Sequence, residues 1–361
     1  MRRRSLTMVA GLAVLLACTV ASAEVPRMDD GKPDFSGTYD ITTLTPWQRN
    51  PDLGERTHFT QEEVDEIKNA SYGRVQQAAA PLDPDRAALE APTGDARDRG
   101  VDRSGDFTPG SYDFHWFDCG GKQCDLYQID GQYPSSVIVD PPNGRIPEVS
   151  EAGKARRATL LPYYKAKYPG EAWWLEDGSD PYDNPEAQSV GDRCLYMGLT
   201  VPSQPVVYNN TKTIVQNDDQ VLIVTEWMHW PRIVRLNSEH LPEDMRSFGG
   251  DAIGWWEGDT LVVETTNFID FNAPHPPREG LKVIERFSPI DGDSLRYAFT
   301  VHDPDYVAPY SGEFPWHRSD YPMYEYACHE GNYSLANTLS GARALERKWV
   351  AKHGSPEAGE E

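Results

Sequence analysis

The 361-residue chain carries 34 Lys and Arg against 57 Asp and Glu, which gives a formal net charge of −23 at neutral pH. Nucleic-acid phosphates and anionic lipid surfaces repel such an acidic chain, so the charge excludes both as partners. Hydrophobic residues make up 39% of the chain, enough for a sizeable core. A single long apolar run excludes a multi-pass membrane protein.

The first residues have the pattern of an export signal. Arginines at positions 2–4 precede an apolar run over residues 8–20, and Ala21-Ser22-Ala23 follows. This pattern predicts a signal peptide over residues 1–23, with cleavage after Ala23 and a periplasmic or secreted product. The apolar run is too short for a membrane span. The alternative is a lipoprotein that is anchored through Cys18.

Export places the other four cysteines in an oxidising compartment, where an even number favours disulfides over metal thiolates. Cys119 and Cys124 flank two glycines and predict a small loop closed by a disulfide. Cys194 and Cys328 then pair over a long loop. The alternative for Cys119 and Cys124 is half of a zinc site, but no second close pair of cysteines or histidines completes it.

The first half of the mature chain contains a predicted helix and a long surface segment. Thr60 and Glu63 form a capping box, which predicts a helix over residues 62–77. Residues 78–110 are rich in Ala, Pro, Asp, Arg and Gly and have few large apolar side chains, which is typical of a mobile surface segment.

The organisation along the chain follows from this composition. Residues 24–110 hold an entry strand, the helix and the surface segment. Residues 111–350 form a β-rich main domain, and residues 24–77 belong to the same domain. A second helix is predicted over residues 151–167. Residues 351–361 form an acidic tail.

Short β-branched runs in the second half of the chain alternate with turns that contain Asp, Asn or Gly. Such pairs predict β-hairpins, and they occupy residues 213–215 and 221–225, 255–256 and 261–265, and 281–287 and 295–301. The fold class is therefore mainly β, an antiparallel meander closed as a barrel or folded as a sandwich, with a few peripheral helices. A β-propeller is the alternative, although no repeat with a shared flanking motif is present.

Several sequence blocks resemble a family of exported bacterial β-rich proteins. The blocks span nearly all of the mature chain and lie at residues 31–37 (GKPDFSG), 139–147 (VDPPNGRIP), 256–263 (WEGDTLVV), 265–268 (TTNF) and 326–333 (YACHEGNY). The resemblance implies a secreted protein with a general similarity to lipocalin-like barrels. It implies no activity.

The first candidate for chemistry is the stretch from Glu226 through His229 to Arg232. An acid, an imidazole and a guanidinium within seven residues could act as orienter, base and anion clamp. In an extended chain, however, Glu226 and Arg232 share one face while His229 points to the other. The alternative interpretation is a histidine packed among tryptophans at a sheet edge.

The second candidate is His329 with Glu330, directly after Cys328. A disulfide at Cys328 would hold both side chains rigidly, as a catalytic group requires. They could converge with His229 or with Arg193. The alternative is that Glu330 caps a following helix at residues 335–340.

Ligand binding is predicted at a wider set of positions. The candidate contacts are Glu226, Arg232, Trp255, Asn267, Arg193 and Asn332. The chain has no P-loop and no Gly-x-Gly-x-x-Gly motif after a strand, so no cofactor is expected, and no metal ligand set is predicted.

These observations favour an exported barrel that binds a small apolar or carbohydrate ligand in an aromatic-lined cavity, with catalysis as an extension of that function. One alternative is a cofactor-independent hydrolase or lyase that uses His229 with His329 and Glu330. The other is a structural protein of the envelope.

Overall fold

The structure is a computed structural model that describes residues 24–78, 118, 124–160, 171–177, 181–198, 200–206, 208–269 and 278–354. The predicted signal peptide with Cys18, nearly all of the 78–110 segment, Cys119 and the end of the acidic tail lie outside the described residues.

The described residues form a mainly β fold with twelve strands. In chain order they are β1 (Gly37–Asp40), β2 (His58–Phe59), β3 (Tyr133–Pro134), β4 (Ile138–Asp140), β5 (Thr211–Gln216), β6 (Gln220–Thr225), β7 (Trp230–Leu236), β8 (Asp251–Glu257), β9 (Thr260–Thr266), β10 (Lys282–Pro289), β11 (Ser294–His302) and β12 (Tyr310–Arg318).

Nine of the strands close into a barrel. Strands β5 to β12 lie side by side in chain order, and β1 pairs with both β5 and β12 to close the sheet. Strand β4 pairs with the first part of β12, and β2 and β3 form a separate two-stranded sheet. The predicted barrel is confirmed, and the three predicted hairpins are β5–β6, β8–β9 and β10–β11.

One strand pair departs from the predicted antiparallel meander. Strands β7 and β8 are parallel, so residues 237–250 must cross from one end of the barrel to the other. The crossing ends at Asp251, whose carboxylate binds Arg235 at 3.0 Å and His240 at 2.8 Å and accepts the Leu241 N–H. A parallel connection needs such a crossover, which no short turn signal reveals.

Four helices surround the barrel in the described residues: α1 (Gln61–Ala78), α2 (Glu151–Leu160), α3 (Trp174–Asp177) and α4 (Tyr333–His353). The capping box of α1 is confirmed, since Thr60 Oγ1 accepts the Glu63 N–H at 3.2 Å and Glu63 accepts the Thr60 N–H at 2.9 Å. Helix α2 is described to residue 160, and its predicted continuation to 167 lies outside the described residues. No described helix has the length and apolarity needed to cross a bilayer.

Aromatic side chains fill the barrel interior. Because successive side chains alternate across each strand, every second residue points inward. The Tyr297 ring centroid lies 4.9 Å from that of Trp316, 5.1 Å from Phe287 and 5.4 Å from Phe314. Each of these four side chains is at most 1% exposed. The middle of the barrel is thus a packed core, as expected for a barrel of about eight strands.

The strand register defines two ends of the barrel. At the "Trp256 end" lie Gly37, Gln216, Thr260 and Leu295, and at the "Lys212 end" lie Asp40, Thr225, Thr266 and Val301.

Residues 24–36 cover the Trp256 end. Phe35 packs on Trp256 with ring centroids 5.5 Å apart, and Arg27 pairs with Asp259 at 2.7 Å. At the other end, residues 200–206 reach the interior, where the Ser203 N–H donates to the Tyr297 hydroxyl at 2.8 Å. The two ends are therefore closed by different segments of the chain, residues 24–36 at one end and residues 200–206 at the other.

Candidate functional site

Charged side chains meet inside the barrel near the Lys212 end. Lys212, Arg232 and Glu285 occupy inward positions on β5, β7 and β10, in phase with buried apolar neighbours. They are 3%, 7% and 0% exposed. With Glu226 and Tyr297 they form what we call the charged cluster. Ionised groups at this depth are stable only when they are paired and hydrogen-bonded.

An ion pair forms the centre of the charged cluster. Both guanidinium Nη atoms of Arg232 donate to Glu285, with Nη2 3.1 Å from Oε1. The Tyr297 hydroxyl donates to the same Oε1 at 2.6 Å. Burial by itself would lower the pKa of Arg232, but the adjacent Glu285 carboxylate raises it above its usual value. Burial and the same carboxylate raise the pKa of Tyr297 well above normal, so the phenol stays a neutral donor.

Within the described part of the chain, Lys212 lies in the charged cluster without a carboxylate in ion-pair contact. Its Nζ donates to the hydroxyl of Thr225, the register partner on β6, at 3.3 Å. Burial lowers the pKa of Lys212, and the positive charge of Arg232 acts in the same direction; against the opposing effect of Glu226 and Glu285, the net pKa is about 7. A large fraction of this amine is therefore neutral at physiological pH.

The structure separates the residues of the predicted Glu226-to-Arg232 motif. Glu226 is buried and accepts the Thr211 N–H at 3.2 Å, and Arg232 joins it in the interior. A short turn over Trp227–His229, with Met228 and His229 at positive φ, directs His229 to the surface. Two of the predicted ligand contacts thus lie in the charged cluster, and the histidine does not.

His229 holds a neighbouring segment in place. Its Nε2 accepts the Tyr326 N–H at 2.9 Å, which requires this nitrogen to be unprotonated. The Tyr324 carbonyl oxygen lies 3.2 Å from the same nitrogen. Both contacts engage Nε2 with the backbone of residues 324–326, so His229 ties this segment to the turn after β6.

The predicted disulfide between Cys194 and Cys328 is confirmed, with Cα atoms 5.7 Å apart. Asn332, a predicted ligand contact, accepts the Leu335 N–H as the cap of α4 and donates to the Asp192 carbonyl at 2.7 Å. Cys124 is also in a disulfide, but Cys119 lies outside the described residues, so their predicted pairing stays a prediction.

The second predicted catalytic pair lies on the surface beside this disulfide. His329 and Glu330 are exposed, and within the described part of the chain neither side chain forms a hydrogen bond. Arg193, next to Cys194, is half-buried. The structure brings these residues into one region but gives no hydrogen bond that joins them to His229.

Removing this disulfide is expected to lower the free energy of unfolding by about 4 kcal/mol, because the bond closes a loop with a sequence separation of 134 residues. The measurement is guanidinium unfolding of a Cys194→Ala/Cys328→Ala variant against the parent protein. A change below about 1 kcal/mol would show that the disulfide contributes little to stability.

A cleft of about 290 Å³ opens at the Trp256 end, between residues 28–32 and the barrel rim. Its lining combines apolar Trp256, Leu236 and Met28 with polar Asp30, Lys32, Gln216, Asn217, Asp218 and Asn237. The Lys32 Nζ lies 5.9 Å from the centroid of the Trp256 ring and donates to the Gly258 carbonyl at 3.3 Å. We call this site the Trp256 cleft.

The two remaining predicted ligand contacts have other partners. Trp255 precedes Trp256 on β8 and therefore points to the other face of the sheet, where its Nε1 donates to Glu257 at 3.1 Å. The Asn267 amide donates to the carbonyl oxygens of Leu241 and Pro242 and so supports the crossover.

The sequence signals for the missed residues were present but weak. Lys212 is in phase with buried Ile214, and Glu285 is in phase with Val283 and Phe287. A charged residue at an inward strand position is thus the pattern that could have revealed the charged cluster.

No family model matches the chain, and no curated protein matches it at a significant level. The fold and the two sites define the class: a closed nine-stranded β-barrel with a packed interior, a buried charged cluster and an open polar cleft at one end.

Proposed function

We propose that this protein is an exported barrel that binds a carbohydrate in the Trp256 cleft. The observation that carries the proposal is the lining of the cleft, in which one tryptophan lies among amide, carboxylate and ammonium groups. Indole rings offer a large apolar face, and a few placed polar groups fix the orientation of a ligand. Sugars present the matching surfaces, an apolar ring face and a rim of hydroxyls.

The packed interior favours the cleft over the centre of the barrel. A ligand inside would have to displace Tyr297, Phe287 or Trp316, which are in mutual contact and at most 1% exposed. The mostly polar lining of the cleft likewise favours a carbohydrate over an apolar ligand, which would leave polar groups unpaired.

Export is part of the same proposal. The Cys194–Cys328 disulfide is typical of an oxidising compartment. The N-terminal signal pattern and the resemblance to exported bacterial β-rich proteins agree with it.

The first test is calorimetric titration of the exported protein with a panel of mono- and oligosaccharides. We expect one class of sugar to bind, and Trp256→Ala to weaken it at least about tenfold, or about 1.4 kcal/mol. Trp255→Ala is the matched control, because it removes the neighbouring indole from the other face of β8 and should leave binding within about twofold. Absence of binding by every sugar in the panel would contradict the proposal.

A second pair of variants does not depend on the packing of Phe35 against Trp256. Asp218 lines the cleft, whereas the adjacent Asp219 does not, and both are exposed. Asp218→Asn is expected to weaken sugar binding about three- to tenfold through the loss of a charged acceptor. Asp219→Asn makes the same charge change and should have no effect. Equal effects of the two would place the ligand elsewhere.

A further inference from the structure

The hydrogen bonding of Lys212 suits a neutral amine better than an ammonium ion. An ammonium has three N–H donors, but Lys212 has one hydrogen bond within the described residues, to Thr225 at 3.3 Å. Glu285 is already engaged by Arg232 and Tyr297, and Glu226 accepts the Thr211 N–H. Neither Glu226 nor Glu285 forms an ion pair with the Lys212 Nζ, so within the described residues the ammonium form has no directly bonded counter-charge.

Three charged side chains on different parts of the barrel act on Lys212. Arg232 on β7 opposes protonation, and Glu226 after β6 and Glu285 on β10 favour it. The net result of burial and these charges is a pKa of about 7 for Lys212. An ordinary lysine has a pKa near 10.4 and is almost wholly protonated at neutral pH. At neutral pH the nucleophilic, neutral form is therefore far more populated for Lys212 than for an ordinary lysine.

Packing alone does not explain a lysine at this position, because an apolar side chain would fill the space next to Ile214 without a desolvation penalty. Nucleophilic lysines in proteins are activated by desolvation or by a neighbouring cation, and Lys212 has both, from its burial and from Arg232.

We propose that Lys212 is a covalent binding site for a small, uncharged aldehyde, which it holds as an imine inside the Lys212 end of the barrel. The Nζ lone pair attacks the carbonyl carbon and forms a carbinolamine. The carbinolamine then loses water, which contains the former carbonyl oxygen and the two hydrogens of the amine, and a C=N bond remains. The step is a condensation, with no oxidant or reductant, and it reverses by hydrolysis.

The surroundings set the class of aldehyde. Ile214 and Ile223 are the buried neighbours of Lys212 and of Thr225 along β5 and β6, and both are 2% exposed. A charged or bulky aldehyde would have to lose its hydration shell or displace these side chains. The carboxylates of Glu226 and Glu285 favour the protonated imine, as they favour the protonated amine. A short aliphatic aldehyde fits these conditions.

The route to Lys212 lies where residues 200–206 reach the charged cluster. The link between this segment and the cluster is the hydrogen bond from the Ser203 N–H to the Tyr297 hydroxyl. Residues 200–206 belong to none of the barrel strands, so breaking this hydrogen bond separates no strand pair. This site is at the opposite end from the Trp256 cleft, so the two proposals stand or fall separately.

The test is reductive trapping with propanal and sodium cyanoborohydride on the native, full-length exported protein, followed by peptide mass mapping. At pH 7 we expect propylation of Lys212 at least about tenfold faster than of Lys282, a half-exposed lysine that pairs with Glu264 on the outer face of the barrel. The rate at Lys212 should rise with pH through a midpoint near 7. Trp256→Ala should leave the rate unchanged.

Two variants complete the test. Lys212→Met should lose the fast-labelled peptide while the other lysines react as before. Ser203→Pro, which removes the N–H that binds Tyr297, should speed labelling of Lys212 by loosening the segment. Labelling of Lys282 and the other exposed lysines with none at Lys212 in the native protein would overturn the proposal. So would labelling of Lys212 only after addition of denaturant.

Discussion

Replacing Glu285 with glutamine is expected to lower the free energy of unfolding by about 3–5 kcal/mol, because it leaves the Arg232 guanidinium charged and unpaired inside the barrel. Glu285 is 0% exposed and Arg232 is 7% exposed, so water cannot take the place of the lost carboxylate. The Tyr297 hydroxyl also loses its charged acceptor. Guanidinium unfolding at pH 7 measures the change.

An exposed pair in the same part of the sheet provides the control. Glu257 and Arg286 lie 2.8 Å apart, and each is 47% exposed. Glu257→Gln makes the same chemical change and should cost less than about 1 kcal/mol, since solvent screens the pair. A double Arg232→Met/Glu285→Met variant should recover most of the loss at Glu285. Similar costs for Glu285→Gln and Glu257→Gln would show that the buried charge is compensated by groups other than Glu285.

Replacing Lys212 with methionine is expected to stabilise the protein, in contrast to Glu285→Gln. It should raise the free energy of unfolding by about 3–5 kcal/mol at pH 6. The pKa of Lys212 is near 10.5 in the unfolded chain and about 7 in the native state. Below pH 7 the native state must hold a buried ammonium, so the full cost of that charge is present. Methionine has similar length and no charge, so the variant avoids this cost.

The stabilisation by Lys212→Met should shrink as the pH rises. Between about pH 7 and 10.5 the unfolded chain binds one more proton than the native state, so the stability of the parent protein rises with pH. The variant lacks this titration, and its advantage should fall to about 1–2 kcal/mol at pH 9.5. Unfolding at both pH values measures the difference, with half-exposed Lys282→Met as the control. An advantage that does not change with pH would contradict the lowered pKa.

The barrel could be predicted from the sequence because its signals are local. In β11 the side chains of Leu295, Tyr297, Phe299 and Val301 alternate with polar ones, and all four are buried in the structure. Turn residues between β-branched runs likewise give the three hairpins correctly, since a tight turn depends on the few residues that form it.

The parallel β7–β8 pair could not be predicted in the same way. Residues 237–250 contain no feature that distinguishes a crossover from a wide hairpin. The pairing depends on contacts between residues distant in the sequence, such as Asn267 with Leu241 and His240 with Glu264. Contacts of this kind exist only once the sheet has assembled.

For the sites, sequence reasoning found single residues but not their partners. Closeness in the chain predicts Glu226 and Arg232 as ligand contacts, yet the partner of Arg232 is Glu285, 53 residues away. The sequence predicts Trp255 as a ligand contact, but strand alternation directs its neighbour Trp256 into the cleft.

Four features follow from local sequence patterns or from the number of cysteines: the mainly β class, the hairpins, the capping box of α1 and the Cys194–Cys328 pairing. The assembled fold sets how the sheet closes, which charged side chains are buried and at which end of the barrel the cleft lies. These properties follow from strand register and from side chains that meet across the interior. The free energy of a buried charge is set by its neighbours in space, and sequence distance does not reveal them.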